Sequence, residues 1–275
     1  MPTSTVTTLT PASIEMFRNW CIAKGQSENT AKAYSTDLRM LLAHYSTMSI
    51  SDGEFQTKAQ IWLNQTRRES APKTTGRRLT SLRAFARWAK WATELNEYKA
   101  PQPSKTIPHP IGEGLDGLIR LEAVAANHEQ QALVGACGYI GLRVGEALAF
   151  RTSWLNVHEM LLTVRGKGDK ERIVPVSQRA WTSIAPAYIR AMQSDGMLIH
   201  YQDRSARKAI TTLGKRAGLR AHIKSHDLRA TYATILMEKG VNIRVIQELL
   251  GHANLATTEI YTGVGMASLK SAVEF

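Results

Sequence analysis

Cysteine is nearly absent. Cys21 and Cys137 are the two in 275 residues, too few for a disulfide framework or a cysteine-ligated metal cluster. Both sit among apolar residues and read as buried fillers, and their scarcity fits a reducing cytoplasm. Long apolar runs are missing as well: the longest nearly uncharged one, residues 132–142, is too short to span a bilayer. The opening MPTSTVTTLTP has neither a basic start nor an apolar centre, so it does not read as a signal peptide. There is no internal repeat, no low-complexity tract, no P-loop and no acidic cluster of metal-ligand character, so neither a cofactor nor a metal is expected. Acidic residues are also in deficit, 23 against 35 Lys+Arg, for a formal charge of +12 and a pI near 9.8.

Such a surplus is the electrostatic footprint of a protein that binds a phosphate backbone. From charge alone, anionic membrane surfaces and a basic protein without such a partner stay open. At 43% hydrophobic residues the chain can bury a core, which excludes global disorder.

The clearest internal boundary is KAPQPSKTIPHPIGEG, residues 99–114, where four prolines and two glycines stop helix and strand alike. It reads as an extended linker between an N-terminal domain, residues 1–98, and a C-terminal one, residues 115–275, both of ordinary size. The expected class is mainly α with a small β-hairpin, in two domains. In the first, Ser27 can cap a helix whose apolar face runs Ala31, Tyr34, Leu38, Leu41, Leu42, Tyr45, a helical spacing. A second helix follows Pro72, with Leu82, Phe85, Ala86 and Ala89 as its stripe and Trp88 and Trp91 nearby. Arg77, Arg78, Arg83, Arg87 and Lys90 fill much of what remains. A solvated face is the bland reading, and contact with a DNA backbone is the reading favoured in so basic a chain.

The C-terminal part is mixed. Residues 130–150 read as a helix broken at Gly141 and then resumed. Residues 161–164 and 172–176 bracket GKGDK, which reads as a hairpin around a glycine-rich turn. Ser225 is a plausible N-cap for a helix over 226–239 closed by Gly240, and Asn242 for one over 243–250 closed by Gly251.

Spaced along this half are Arg143, Lys167, His226 with Arg229, His252 and Tyr261. Taken singly, each is more often structural than catalytic. Together they are what is needed to cut a phosphodiester without metal. Two guanidiniums can neutralise a crowded phosphate, a phenol can attack it, and a lysine or a histidine can move the protons. His226 and Arg229, three apart at a helix start, project from one face beside free backbone N–H groups that favour an anion. Glu146 lies one turn after Arg143, a spacing that is usually an ion pair. Lys167 shares the hairpin turn with Arg165, Lys170 and Arg172, a run that is either solvated or turned toward DNA.

GLRVGEAL, RGKGDKERIVPV, HDLR, LLGH and TTEIYTGV occur in that order. They resemble the catalytic signature of the tyrosine recombinase family, the phage integrases and Xer proteins. The resemblance is strong over residues 130–263. It is weaker in the first domain, where SENTAKAYSTDL and TTGRRLTSLRAFARWA are similar to the family's helical, SAM-like core-binding domain. It implies that Arg143 and Arg229 hold the scissile phosphate and Lys167 protonates the departing 5′ oxygen. It further implies that His226 handles the proton of Tyr261, His252 hydrogen-bonds the phosphate, Glu146 orients its neighbours and Tyr261 is the nucleophile. The departure noticed is Gly263, where many relatives carry histidine, and it touches none of these roles.

By the same resemblance, the chain is expected to act on double-stranded DNA at specific core sites. The two domains would clamp a duplex, four copies would exchange strands through a Holliday junction, and accessory DNA-bending or directionality proteins are further candidate partners. A tail stripe of Met266, Leu269 and Val273 is expected to dock on a neighbouring copy. About ten residues precede the first helix, which suggests an enzyme reading core sites only, in phage or mobile-element integration. An Xer-type resolvase, a type IB topoisomerase and a non-catalytic DNA-binding module are the alternatives.

Overall fold

In the computed structural model the described residues are 6–102, 109–166, 171–219, 222–251 and 266–274. They fall into two compact units, Met1–Thr106 and Ile107–Phe275. Among them, no helix is long and apolar enough to cross a membrane.

The first unit is built from four helices: α1 (Pro11–Ala23), α2 (Glu28–His44), α3 (Asp52–Glu69) and α4 (Pro72–Ala89). Local chemistry sets their ends. Thr10 and Ser13 bond each other's backbone N–H groups at 3.1 and 2.8 Å at the start of α1, a capping box. Ser27 accepts from Thr30 N at 3.2 Å, the cap expected for α2. Pro72 opens α4, and Lys90 closes it in the left-handed region at φ 61°. The anticipated faces are the buried ones: Ala31, Leu38, Leu41 and Leu42 on α2, and Leu82, Phe85, Ala86 and Ala89 on α4. Phe17, Phe55, Phe85 and Trp91 pack edge-on at the centre. One departure from an all-helical reading is a two-residue antiparallel pairing of β1 (Thr8–Leu9) with β2 (Ile50–Ser51), which ties the lead-in of α1 to that of α3.

The second unit is also mostly helical. Its helices are α5 (Gly114–Ala123), α6 (His128–Gly138), α7 (Val144–Leu148), α8 (Gln178–Met192), α9 (Asp203–Arg216), α10 (Ser225–Glu238), α11 (Ile243–Leu250) and α12 (Met266–Val273). Its sheet is antiparallel, with β3 (Leu155–Asn156), β4 (Leu161–Arg165) and β5 (Glu171–Pro175) in sequence order. The hairpin pairs Arg165 with Glu171 and Leu161 with Pro175, and β3 is an addition to it that the sequence did not announce. Helix α6 is buried on every side from Ala132 to Gly138, which explains its lack of a polar face, and α8 and α10 pack around it. Of the proline-rich stretch, 103–108 lie outside the described residues. Ile111 is buried in this unit's core and donates its N–H to Thr231 Oγ1 at 2.8 Å.

One local expectation is corrected. Helix α10 begins one residue early: Lys224 is its N-cap position, and the Lys224 N–H donates to Asp227 Oδ2 at 2.9 Å. Asp227 therefore caps from inside the first turn, and Ser225 lies within the helix. Within the single chain, the tail packs on its own unit. Leu269 and Val273 of α12 are 2% and 1% exposed within that core. Val273 shares a surface hollow with Pro175 and Val176, and the Glu274 carboxylate accepts from Gln178 N at the start of α8. The chain's own sheet offers these side chains an apolar seat.

Candidate active site

The break between α6 and α7 is made by Gly141 at φ 76°, where an added Cβ would lie 2.5 Å from the Tyr232 ring. This turn releases the chain so that Arg143 becomes the N-cap position of α7. Glu146, one turn on, reaches back. Its Oε2 accepts from the Arg143 N–H and its Oε1 from Arg143 Nη1, both at 2.8 Å. Arg143 Nη2 donates to the Gly251 carbonyl at 2.8 Å. The Arg143 side chain is 42% exposed, so it is only partly enclosed.

Arg229 approaches the same place from α10. Its side chain is 8% exposed. Nη1 donates to the Gly141 carbonyl at 2.6 Å, and Nη2 donates to the Leu250 carbonyl. The Glu146 carboxylate is 3.8 Å away. Burial, then the neighbouring Arg143 cation, pulls the Arg229 pKa down to about 10, which leaves it charged at neutral pH. Burial pushes Glu146 upward, but its bonds with Arg172 and Arg143 prevail and hold it at about 2. It stays an anion among cations.

His226, one turn before Arg229, is exposed at the start of α10. Partial burial, then the cations of Arg207 and Arg229, lowers its pKa from the ordinary histidine value. The neutral ring that results can accept a proton. The structure thus brings Arg143, Arg229, Glu146 and His226 into one neighbourhood. Lys167, Lys170, His252 and Tyr261 lie outside the described residues.

Two of its neighbours differ from what the sequence suggested. Arg172, expected among the DNA-facing cations of the hairpin, turns inward on β5 with its side chain 11% exposed. Nη1 and Nη2 donate to the two Glu146 oxygens at 3.0 and 2.8 Å, and Nε donates to the Leu249 carbonyl at 3.0 Å. Strand alternation carries the signal: 172 shares the inner face with Val174, while Glu171 and Ile173 are exposed. Arg207 of α9 went unremarked in the sequence. It is paired with Asp203 at 2.7 and 2.9 Å and lies 3.5 Å from Ser225 Oγ. Its cation acts on His226 across a helix boundary that no local motif spans. Arg165 remains at the exposed hairpin end, 2.8 Å from Glu171.

The basic helix α4 divides its cations between inside and outside. Arg83 donates to the carbonyls of Leu95, Asn96 and Tyr98 at 2.7–3.0 Å, which closes the turn after the helix. Arg78 lies over the Trp62 ring at 4.5 Å, and Arg77 pairs at 2.5 Å with the fully buried Asp37 while 42% of its own side chain stays exposed. Arg87 and Lys90 are exposed. Among the described residues, no group of three His, Cys, Asp or Glu side chains is arranged to hold a metal ion.

Comparison with known proteins agrees with this layout. Residues 120–267 match the phage integrase family, and residues 14–93 match the phage integrase N-terminal SAM-like domain. Tyrosine recombinase XerA of Thermococcus onnurineus is 31% identical over 275 residues, covering 95% of this chain and 94% of XerA. Tyrosine recombinase XerD of Listeria monocytogenes is 28% identical, covering 94% of this chain and 95% of XerD. Among solved structures, a lambda integrase tetramer bound to a Holliday junction shares the fold with a TM-score of 0.69 at 15% identity, over 94% of this chain and 82% of that one.

Proposed function

The chain belongs to the phage integrase family, the tyrosine recombinases, and on that premise we propose that it cuts and rejoins double-stranded DNA at specific sites through Tyr261. Arg143 and Arg229 take the non-bridging oxygens of the scissile phosphate. The Tyr261 oxygen attacks phosphorus as the bond to the 5′ oxygen breaks, which leaves a 3′-phosphotyrosine and a free 5′ hydroxyl. His226 accepts the phenol proton, Lys167 supplies the proton to the leaving oxygen, and His252 donates a hydrogen bond to the phosphate. Attack of a 5′ hydroxyl on the phosphotyrosine reverses the step, so the bond energy is kept and no nucleotide cofactor is consumed.

One observation carries this reading. Arg143 and Arg229 converge on the Glu146 carboxylate, while His226 sits one turn from Arg229 at a helix start. Fixed cations around a developing phosphorane are worth about 3–4 kcal/mol each in a water-poor site. An arginine fork presents them without rearrangement. Arg229, buried and already oriented, is the fixed half of the clamp. Arg143, only partly enclosed, is the half that meets the incoming strand.

The DNA partner is supported by the +12 charge and by the exposed Arg87 and Lys90 on α4 and Arg165 on the hairpin. Lys170 is assigned to the DNA-facing set by its place in the sequence alone. By analogy with the lambda integrase tetramer on its junction, four copies join two duplexes. Within this chemistry we favour integration and excision of a mobile element. The weaker resemblance of the N-terminal half to the family's motifs is what supports it. Resolution of chromosomes or plasmids is the second reading, favoured by the end-to-end match with XerA and XerD.

The test is a DNA site nicked so that the 5′-hydroxyl fragment is lost after cleavage. A covalent protein–DNA adduct without added metal, absent in Tyr261→Phe, is expected. Adduct that persists in Tyr261→Phe, or that requires Mg²⁺, overturns the mechanism. Relaxation of any supercoiled plasmid regardless of sequence would mark a topoisomerase instead.

A further inference from the structure

The last turn of α11 receives three arginines in register. Leu249 O accepts from Arg172, Leu250 O from Arg229 and Gly251 O from Arg143. These carbonyls lie in the last turn and C-cap of the helix, where the intrahelical ladder has run out of donors. The helix end also carries partial negative charge that favours cations. The Gly251 N–H is itself taken by Gln247 O and Glu248 O, which fixes the direction of the three carbonyls.

Of the three arginines, Arg172 is the one whose Nε, Nη1 and Nη2 all donate to this cluster. Its fork grips both oxygens of Glu146, its Nε grips α11, and 11% of its side chain is exposed. It also lies against the α-carbon of Gly251. A Cβ there would be 3.1 Å from Arg172 Cδ and Nη1, at a backbone φ of 63° that side-chain-bearing residues rarely adopt. Arg172 thereby joins β5 to the end of α11 and, through Glu146, to the start of α7.

We propose that Arg172 is a positioning residue for strand cleavage. With Glu146 it sets the α11 end whose carbonyls aim Arg143 and Arg229, and it does not itself contact DNA. The inference rests on the reading that those two arginines receive the phosphate. The planar fork is essential to it, because a lysine's donors radiate from one nitrogen and cannot span Leu249 O and both Glu146 oxygens as the arginine's three separate nitrogens do. Loss of that fork leaves the charge balance near Glu146 intact but frees the last turn of α11 to shift. Misplacement by about 1 Å costs on the order of a hundredfold in rate.

The experiment compares wild type, Arg172→Lys and Arg172→Ala on the nicked substrate. It reads the single-turnover rate of adduct formation at saturating DNA, the salt dependence of DNA affinity, and the urea midpoint. Arg172→Ala leaves a buried carboxylate short of its partner and tests stability as much as function. Arg172→Lys retains the charge and keeps the test decisive. The expected result is a urea midpoint for Arg172→Lys close to wild type with adduct formation slowed by about 10- to 100-fold, and an unchanged salt slope in Arg172→Ala. A folded Arg172→Lys that cleaves at the wild-type rate overturns the inference. So does a salt slope reduced by about 0.9 in Arg172→Ala, which marks a lost phosphate contact. Wild-type protein that forms no adduct overturns the proposed function itself, a failure distinct from either of these.

Discussion

Replacing Glu146 with glutamine removes the carboxylate on which Arg143, Arg172 and Arg229 converge while keeping its size. The side chain is 8% exposed and bonds two of those guanidiniums directly. Holding a carboxyl at about 2 rather than near 4.5 is linked to about 3 kcal/mol of folding free energy, at 1.4 kcal/mol for each tenfold change in proton affinity. The folded-state value is depressed. The contribution is therefore complete above the unfolded value, near 4.5, and lost as pH falls through the folded value, near 2. By pH 3 roughly 2 kcal/mol of it is gone. Urea midpoints of wild type and Glu146→Gln, compared at pH 7, 5, 4 and 3, should differ most at pH 7 and 5. The gap should narrow steadily below pH 4.5. A gap that stays constant from pH 7 to pH 3 refutes the claim that Glu146 acts as an anion among the arginines. So does a variant as stable as wild type at neutral pH.

Other outcomes follow from the same geometry. Arg87→Ala and Lys90→Ala should each reduce the slope of log K against log salt by about 0.9, whereas Arg83→Ala should lower the urea midpoint of the first unit and leave the slope alone. Leu269→Ala should destabilise the isolated protein by about 2–5 kcal/mol, because α12 packs on its own unit. A midpoint that is unchanged in dilute protein would return that helix to a contact between copies. Arg207→Ala removes a cation that lowers His226, so the acid limb of the cleavage rate should move to higher pH. A limb that stays in place would separate Arg207 from the proton acceptor.

The helices were legible because their apolar residues recur at helical spacing and their ends carry ordinary caps, as at Ser27, Asn242 and Gly251. The start of α10 was misread because the sequence offers Ser225 as a cap, while Asp227 reaches the Lys224 N–H from inside the helix. Residues that act through motifs, Arg143, Glu146, His226 and Arg229, could be picked from order and spacing. The division of the basic residues could not. Arg83 and Arg172 look like their exposed neighbours in the sequence, and only the turn at 95–98 and the α11 carbonyls make them internal donors. The apolar stripe on α12 was visible, but a stripe does not say what covers it, and here β5 of the same chain does.

The mechanism stands on Tyr261 carrying the broken strand. Its most direct measurement traps the adduct on a nicked site, digests DNA and protein, and maps the modified residue by mass spectrometry. The expected product is a nucleotide remnant joined through its 3′ phosphate to the peptide that contains Tyr261. A remnant on another residue, or one joined through a 5′ phosphate, contradicts it.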